Sequence, residues 1–125
     1  MPTERVLIVE DDGATQMLLQ AILHHHAIEC TIVADGAAAL RAMRHEEFGA
    51  IVLDLLMPVM SGFDVLRELA VSDPQSLDRV IVSTAAADTI LTGCSELSKV
   101  RCVIRKPLDI DVFVAEIHDS MLAKS

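Results

Sequence analysis

At 125 residues the chain is sized for one domain with a buried core. It is 52% hydrophobic, yet no apolar run approaches the length of a membrane span. The net charge of −9, with no cluster of Lys and Arg, argues against direct nucleic-acid contact. Cys30, Cys94 and Cys102 are odd in number and lack metal-type spacing, which excludes a disulfide framework and suits reduced thiols. The opening Met-Pro-Thr-Glu-Arg lacks the basic-then-apolar pattern of a signal peptide, so a cytoplasmic protein is expected.

The elements alternate along the chain. Residues 5–9 read as strand 1, closed by Glu10, Asp11 and Asp12. Helix 1 is expected over about 14–25, with Leu18, Ala21 and Ile22 on its apolar face. The run His24-His25-His26 closes that helix. Consecutive helical residues do not share a face, so the run reads as a solvated helix end rather than a metal or phosphohistidine site. Strand 2 covers 28–33, and Asp35-Gly36 caps an alanine-rich helix 2 over about 37–45.

Strand 3 covers 50–54 and ends on Asp54. A loop follows whose Met57 and Met60 read as apolar anchors around Pro58. Ser61 and Asp64 form an S-x-x-D start signal for helix 3, about 62–71. Strand 4 covers 79–83, with Ser83 and Thr84 at its end. Helix 4 is expected within 86–98, although Gly93 and mixed polarity weaken its pattern. Strand 5 covers 100–105 and is closed by Lys106-Pro107. Asp109 then caps helix 5, about 110–122, with Phe113, Ile117 and Met121 facing the core.

Short apolar runs alternating with helices imply βαβ units and a parallel sheet covered on both faces. In such sheets the carboxyl ends of the strands gather along the edge where ligands bind. Three or four carboxylates, a hydroxyl and a lysine would therefore converge. Carboxylates that close repel one another unless a cation sits among them, and hard oxygen ligands suit Mg²⁺. A plainer reading makes Glu10-Asp11-Asp12 a solvated helix cap and Lys106 a surface lysine before a turn. Ser83 and Thr84 compete for one role, because adjacent strand residues point to opposite faces. A dinucleotide site is disfavoured, since Glu10-Asp11-Asp12-Gly13 would repel a pyrophosphate where a Gly-rich turn is needed.

Five βα units, the acidic pair after strand 1, Asp54-Leu55-Leu56-Met57-Pro58-Val59-Met60-Ser61-Gly62, Thr84-Ala85 after strand 4 and Lys106-Pro107 after strand 5 together resemble the receiver domain of two-component response regulators. The resemblance covers essentially the whole chain, 1–125. It implies a flavodoxin-like α/β three-layer (βα)5 sandwich with strand order 2-1-3-4-5 and a switch point between strands 1 and 3. It further implies that Asp54 is the phosphoacceptor, that Asp11 ligates Mg²⁺ directly and Glu10 through water, and that Asp54 and the backbone carbonyl of Leu56 complete the metal ligands. Thr84 and Lys106 would contact the phosphoryl group, with a cis Lys106-Pro107 bond.

Departures from the family pattern matter as well. Ser61 replaces the usual Asp before the glycine but caps a helix equally well. Val103 stands where many members have a Tyr or Phe that moves with the Thr, and the chain has no Tyr or Trp. Leu56 and Ala86 lie two residues past Asp54 and Thr84, where family members position attacking water. Neither side chain can orient a water, so slow self-dephosphorylation is expected. A dehalogenase-type phosphatase would need an acid at Leu56.

The resulting expectation is a phosphorylation-dependent switch that catalyses only its own phosphorylation and dephosphorylation. A histidine kinase or phosphotransfer protein would supply the phosphoryl group. The helix 4–strand 5–helix 5 face, near Arg101 and Arg105, would control a partner, an attached output domain or a second copy of the chain. The alternative is a receiver-fold interaction module that works without phosphorylation. The chain ends just after helix 5, which suits both a single-domain regulator and a receiver cut from a longer protein.

Overall fold

The computed structural model describes residues 5–124. The elements are β1 (Val6–Val9), α1 (Gly13–His25), β2 (Cys30–Val33), α2 (Gly36–His45), β3 (Ala50–Asp54), α3 (Gly62–Ser72), β4 (Val80–Thr84), α4 (Asp88–Leu91), β5 (Cys102–Arg105) and α5 (Ile110–Lys124). Two 3₁₀ segments, Pro74–Arg79 and Ser95–Ser98, precede β4 and β5.

All strand pairings are parallel, and the order is β2-β1-β3-β4-β5. β1, β3 and β4 are buried along their whole length, as central strands covered on both faces must be. Alternation along the strands divides the core in two. Leu7, Val9, Ile51, Leu53 and Val82 pack against α2 and α3 through Leu40, Val65 and Leu66. Val6, Ile8, Val52, Ile81 and Ile104 pack against α1 and α5 through Leu23, Phe113 and Ile117. The chain reverses its winding between β1 and β3, which opens a crevice above their carboxyl ends. Among the described residues no helix is long and apolar enough to cross a membrane.

The helix starts follow their caps. Asp12 accepts from the Thr15 amide, Asp35 from the Ala38 amide and Asp109 from the Val112 amide. Ser61 and Asp64 form a reciprocal capping box at α3. Met57 is buried and Met60 packs against the core, so both anchor the loop as expected. His24, His25 and His26 are exposed at the end of α1, and the three thiols are free.

One expectation needs correction, and one is sharpened. The buried face of α1 is Leu19, Ile22 and Leu23, whereas Leu18 is 52% exposed and Ala21 is exposed. Adjacent leucines leave the helical phase open by one residue, and the sheet selects the phase that buries Leu19 and Leu23. Helix 4 falls within 86–98 as expected, but only as one short turn, Asp88–Leu91, followed by the 3₁₀ turn Ser95–Ser98. Ala87 at its start offers no side-chain cap, and Gly93 weakens continuation. The consequence reaches β5. Its outer face is thinly covered, leaving Val103 36% exposed and Arg105 exposed.

A carboxylate cluster at the switch point of the sheet

β1 and β3 pair in register with Val9 opposite Leu53, so Glu10 and Asp54 emerge side by side at the top of the crevice. Glu10 is 3% and Asp54 5% exposed, while Asp11 beside them is open to solvent. Glu10, Asp11 and Asp54 each offer a carboxylate oxygen within 4.8 Å of the others. The Lys106 ammonium faces this group from the end of β5, 3.1 Å from Glu10 Oε1 and 3.8 Å from Asp54 Oδ2. One cation against three carboxylates leaves excess negative charge in a half-buried crevice. A divalent cation with oxygen ligands fits that excess.

Each side chain is held by its backbone surroundings. Glu10 Oε2 accepts from the Asp12 amide at 3.1 Å, and its own backbone is fixed by bonds to Val33 and to the Gln16 side chain. Asp54 Oδ1 accepts from the Leu56 amide at 3.1 Å, leaving Oδ2 facing Lys106. Burial, reinforced by the neighbouring Asp54 charge, pushes the Glu10 carboxyl above its usual range. The Asp12 amide and Lys106 oppose that rise. Asp12 does not join the cluster. It caps α1, and the Thr15 hydroxyl and amide hold its carboxyl below the usual range.

The two hydroxyls at the end of β4 differ. Ser83 is the register partner of Asp54 and shares its face. Thr84 is fully buried one position further, and its Oγ1 accepts from the Ala86 amide at 2.9 Å. The Thr84 carbonyl accepts from the Lys106 amide, which joins the strand ends carrying the hydroxyl and the ammonium. Lys106-Pro107 is cis.

Thus Glu10, Asp11, Asp54 and Lys106 converge. Leu56 lies at the rim with its side chain 48% exposed, and the Thr84 hydroxyl is turned toward its own loop. Two supports escaped the sequence reading. A β-carbon on Gly62 would stand 2.3 Å from the Asp54 carbonyl oxygen, so only glycine lets α3 start against the backbone of Asp54. Arg105 donates to the Ala86 carbonyl at 2.6 Å and pairs with Asp88. The glycine after Ser61 was the available signal for the first. The second depends on a tertiary contact that no local pattern encodes.

Residues 6–118 match the family model described as the response regulator receiver domain. The DNA-binding response regulator MtrA of Mycobacterium tuberculosis is 30% identical over 115 residues, covering 92% of this chain and 49% of that protein. The sensory transduction protein RegX3 of the same species is 31% identical over 131 residues, covering 94% of this chain and 56% of that protein. The chain spans about half the length of these curated relatives. Among solved structures, the receiver domain of a signal transduction histidine kinase from Syntrophus aciditrophicus matches with a TM-score of 0.84 at 25% identity, covering 97% of this chain and 92% of that one. The receiver domain of sensor histidine kinase PA1611 from Pseudomonas aeruginosa, which has a magnesium ion coordinated in its active site cleft, matches with a TM-score of 0.83 at 23% identity, covering 95% and 98%.

Proposed function

The chain belongs to the response regulator receiver domain family, and from that premise we propose that it is a phosphorylation-dependent switch whose phosphoacceptor is Asp54. One observation carries the reading. A buried carboxylate, Asp54, has one oxygen tied to a backbone amide and the other facing an ammonium 3.8 Å away, beside two further carboxylates.

Asp54 Oδ2 is the nucleophile. It attacks the phosphorus of a phosphohistidine on a histidine kinase or phosphotransfer protein. The new O–P bond forms as the P–N bond breaks, and the bonding pair leaves on the imidazole nitrogen. The Leu56 amide fixes the angle of the carboxylate, so the attacking oxygen is already oriented. Asp11, Asp54 and the Leu56 carbonyl would hold a Mg²⁺ ion, with Glu10 reaching it through water, and the ion would supply positive charge against the developing phosphoryl oxygens. Lys106 shifts from Glu10 to the transferred group and offsets its remaining charge. The Thr84 hydroxyl leaves the Ala86 amide to donate to a phosphoryl oxygen, and the β4–α4 loop follows it.

The reorganised α4–β5–α5 surface then acts on an output domain, a protein partner or a second copy of the chain, in the cytosol where the kinase donates. With a net charge of −9, any nucleic-acid contact falls to the output module. A second reading, an interaction module that works without phosphorylation, draws on Val103 in the usual aromatic position and on the short α4.

Acetyl phosphate with Mg²⁺ should add one phosphoryl group to the wild type, read by intact mass, and none to Asp54→Asn or after chelation. If neither acetyl phosphate nor a kinase modifies the protein and Mg²⁺ does not bind, the second reading stands.

A further inference from the structure

In the proposed switch the Thr84 hydroxyl turns from its present partner toward the phosphoryl group, and the contacts around that partner form a chain. Thr84 Oγ1 accepts from the Ala86 amide at 2.9 Å. The carbonyl of the same Ala86 accepts from the Arg105 guanidinium at 2.6 Å, and that guanidinium also pairs with Asp88 at the start of α4. Ala86 itself is buried, so the loop cannot drift from this arrangement without exposing it. We propose that Arg105 is a positioning residue that latches the β4–α4 loop, and through Ala86 the Thr84 hydroxyl, in the resting orientation.

The inference rests on the phospho-switch reading and deepens it. Val103 and Arg105 lie two residues apart on β5 and so share a face, the one that the short α4 leaves open. With no aromatic ring at Val103 to report the position of Thr84, the side-chain hydroxyl of Thr84 connects to that face through Ala86 and Arg105, beside the backbone pairing of β4 with β5. The Ala86 contact is a charge-assisted bond to a half-buried carbonyl, the stronger kind. The Asp88 pair is solvent-exposed and contributes less. A latch that stabilises only the resting state opposes any ligand that requires the other state, by the same factor in affinity.

The probe is beryllofluoride with Mg²⁺, a phosphoryl mimic that needs no donor. Arg105→Ala should bind it about fivefold more tightly or better. Arg105→Lys, which keeps a donor for the Ala86 carbonyl, should stay near wild type, as should Asp88→Ala. In the Thr84→Ala background the effect of Arg105→Ala should vanish, because the latch acts through that hydroxyl. Amide exchange at Ala86 in the metal-free protein should be about tenfold faster in Arg105→Ala, reporting the freed loop.

If Arg105→Ala lowers the melting temperature but leaves beryllofluoride affinity unchanged or weaker, Arg105 is only structural and the latch is overturned. Persistence of the affinity gain without Thr84 overturns it equally. If the wild type binds no beryllofluoride, the switch reading is what fails. Ala86 exchange then still decides the latch, and equal rates in wild type and Arg105→Ala refute it.

Discussion

Replacing Gly62 by alanine puts one carbon where the backbone of β3 already is. The added Cβ would lie 2.3 Å from the Asp54 carbonyl oxygen, 2.6 Å from Leu55 Cα and 3.0 Å from the Asp54 carbonyl carbon. Carbon atoms pack at about 3.5–4.0 Å, so α3 and β3 must separate by roughly 1 Å. Neither side yields easily. Both clashing partners are backbone, and the Gly62 amide is bonded to the Leu55 carbonyl at 3.1 Å. Overpacking of this kind costs about 1–3 kcal/mol, and rigid neighbours put it at the upper end. Alanine returns up to about 1 kcal/mol of helix propensity, less at a first turn. A net loss of about 2 kcal/mol lowers the midpoint of thermal unfolding by roughly 5–12 °C in a domain of this size. Because the strained atoms are those of the phosphoacceptor, phosphorylation by acetyl phosphate should slow as well. Gly13→Ala is the matched control. Nothing lies within 4 Å of its added carbon, so it should be neutral or stabilising by up to about 1 kcal/mol. Thermal melts followed by circular dichroism read both. A Gly62→Ala protein that melts within about 1 °C of wild type and is phosphorylated at the wild-type rate would refute the close-approach argument.

Further expectations concern the site and the thiols. Glu10 has a raised folded-state pKa, so its contribution to stability is fully present below the unfolded value and is lost as pH rises through the folded one. Glu10→Gln should therefore gain stability relative to wild type as pH climbs above the ordinary glutamate value of about 4.3 in metal-free protein, and a flat or inverted difference in melting temperature would contradict this. Self-dephosphorylation should be slow, because Leu56 and Ala86 carry no group to orient water, and a phosphoryl half-life of seconds in purified protein would sink that idea. Burial, with Glu116 nearby, pushes the Cys102 thiol up to about 11. At pH 8 about one thiol in a thousand is then ionised, so alkylation at Cys102 should run about 100-fold slower than at a free cysteine peptide. Rates within threefold of the peptide, read by peptide mass, would contradict the burial argument.

The sequence carried a large part of this structure because its central strands are continuous apolar runs, each closed by a polar residue. β3 falls on Ala50–Asp54 as expected, and β4 ends one residue later than expected, on Thr84. The convergence of Glu10, Asp11, Asp54 and Lys106 follows from strand order alone, since parallel strands deliver their ends to one edge. What was not legible depended on packing. The phase of α1 could not be chosen between Leu18 and Leu19 without the sheet beneath it. The region after β4 mixed Gly93, serines and scattered apolar residues, a pattern too weak to fix where α4 ends, and the helix stops at Leu91. Arg105 was visible as a charged residue on the output face, but its grip on the Ala86 carbonyl joins residues 19 positions apart. The assignment of roles to Ser83 and Thr84 still comes from the family pattern, because the register sets Ser83 opposite Asp54 while Thr84 faces its own loop.

The central claim is that the side chain of Asp54 accepts the phosphoryl group with a divalent cation's help. Its most direct test is to treat the protein with acetyl phosphate and Mg²⁺, reduce the acyl phosphate with borohydride and sequence the peptides by mass spectrometry. Conversion at Asp54 alone, dependent on Mg²⁺, is the expected result. Conversion at another acid, or none with either acetyl phosphate or a phosphorylated kinase as donor, would contradict it.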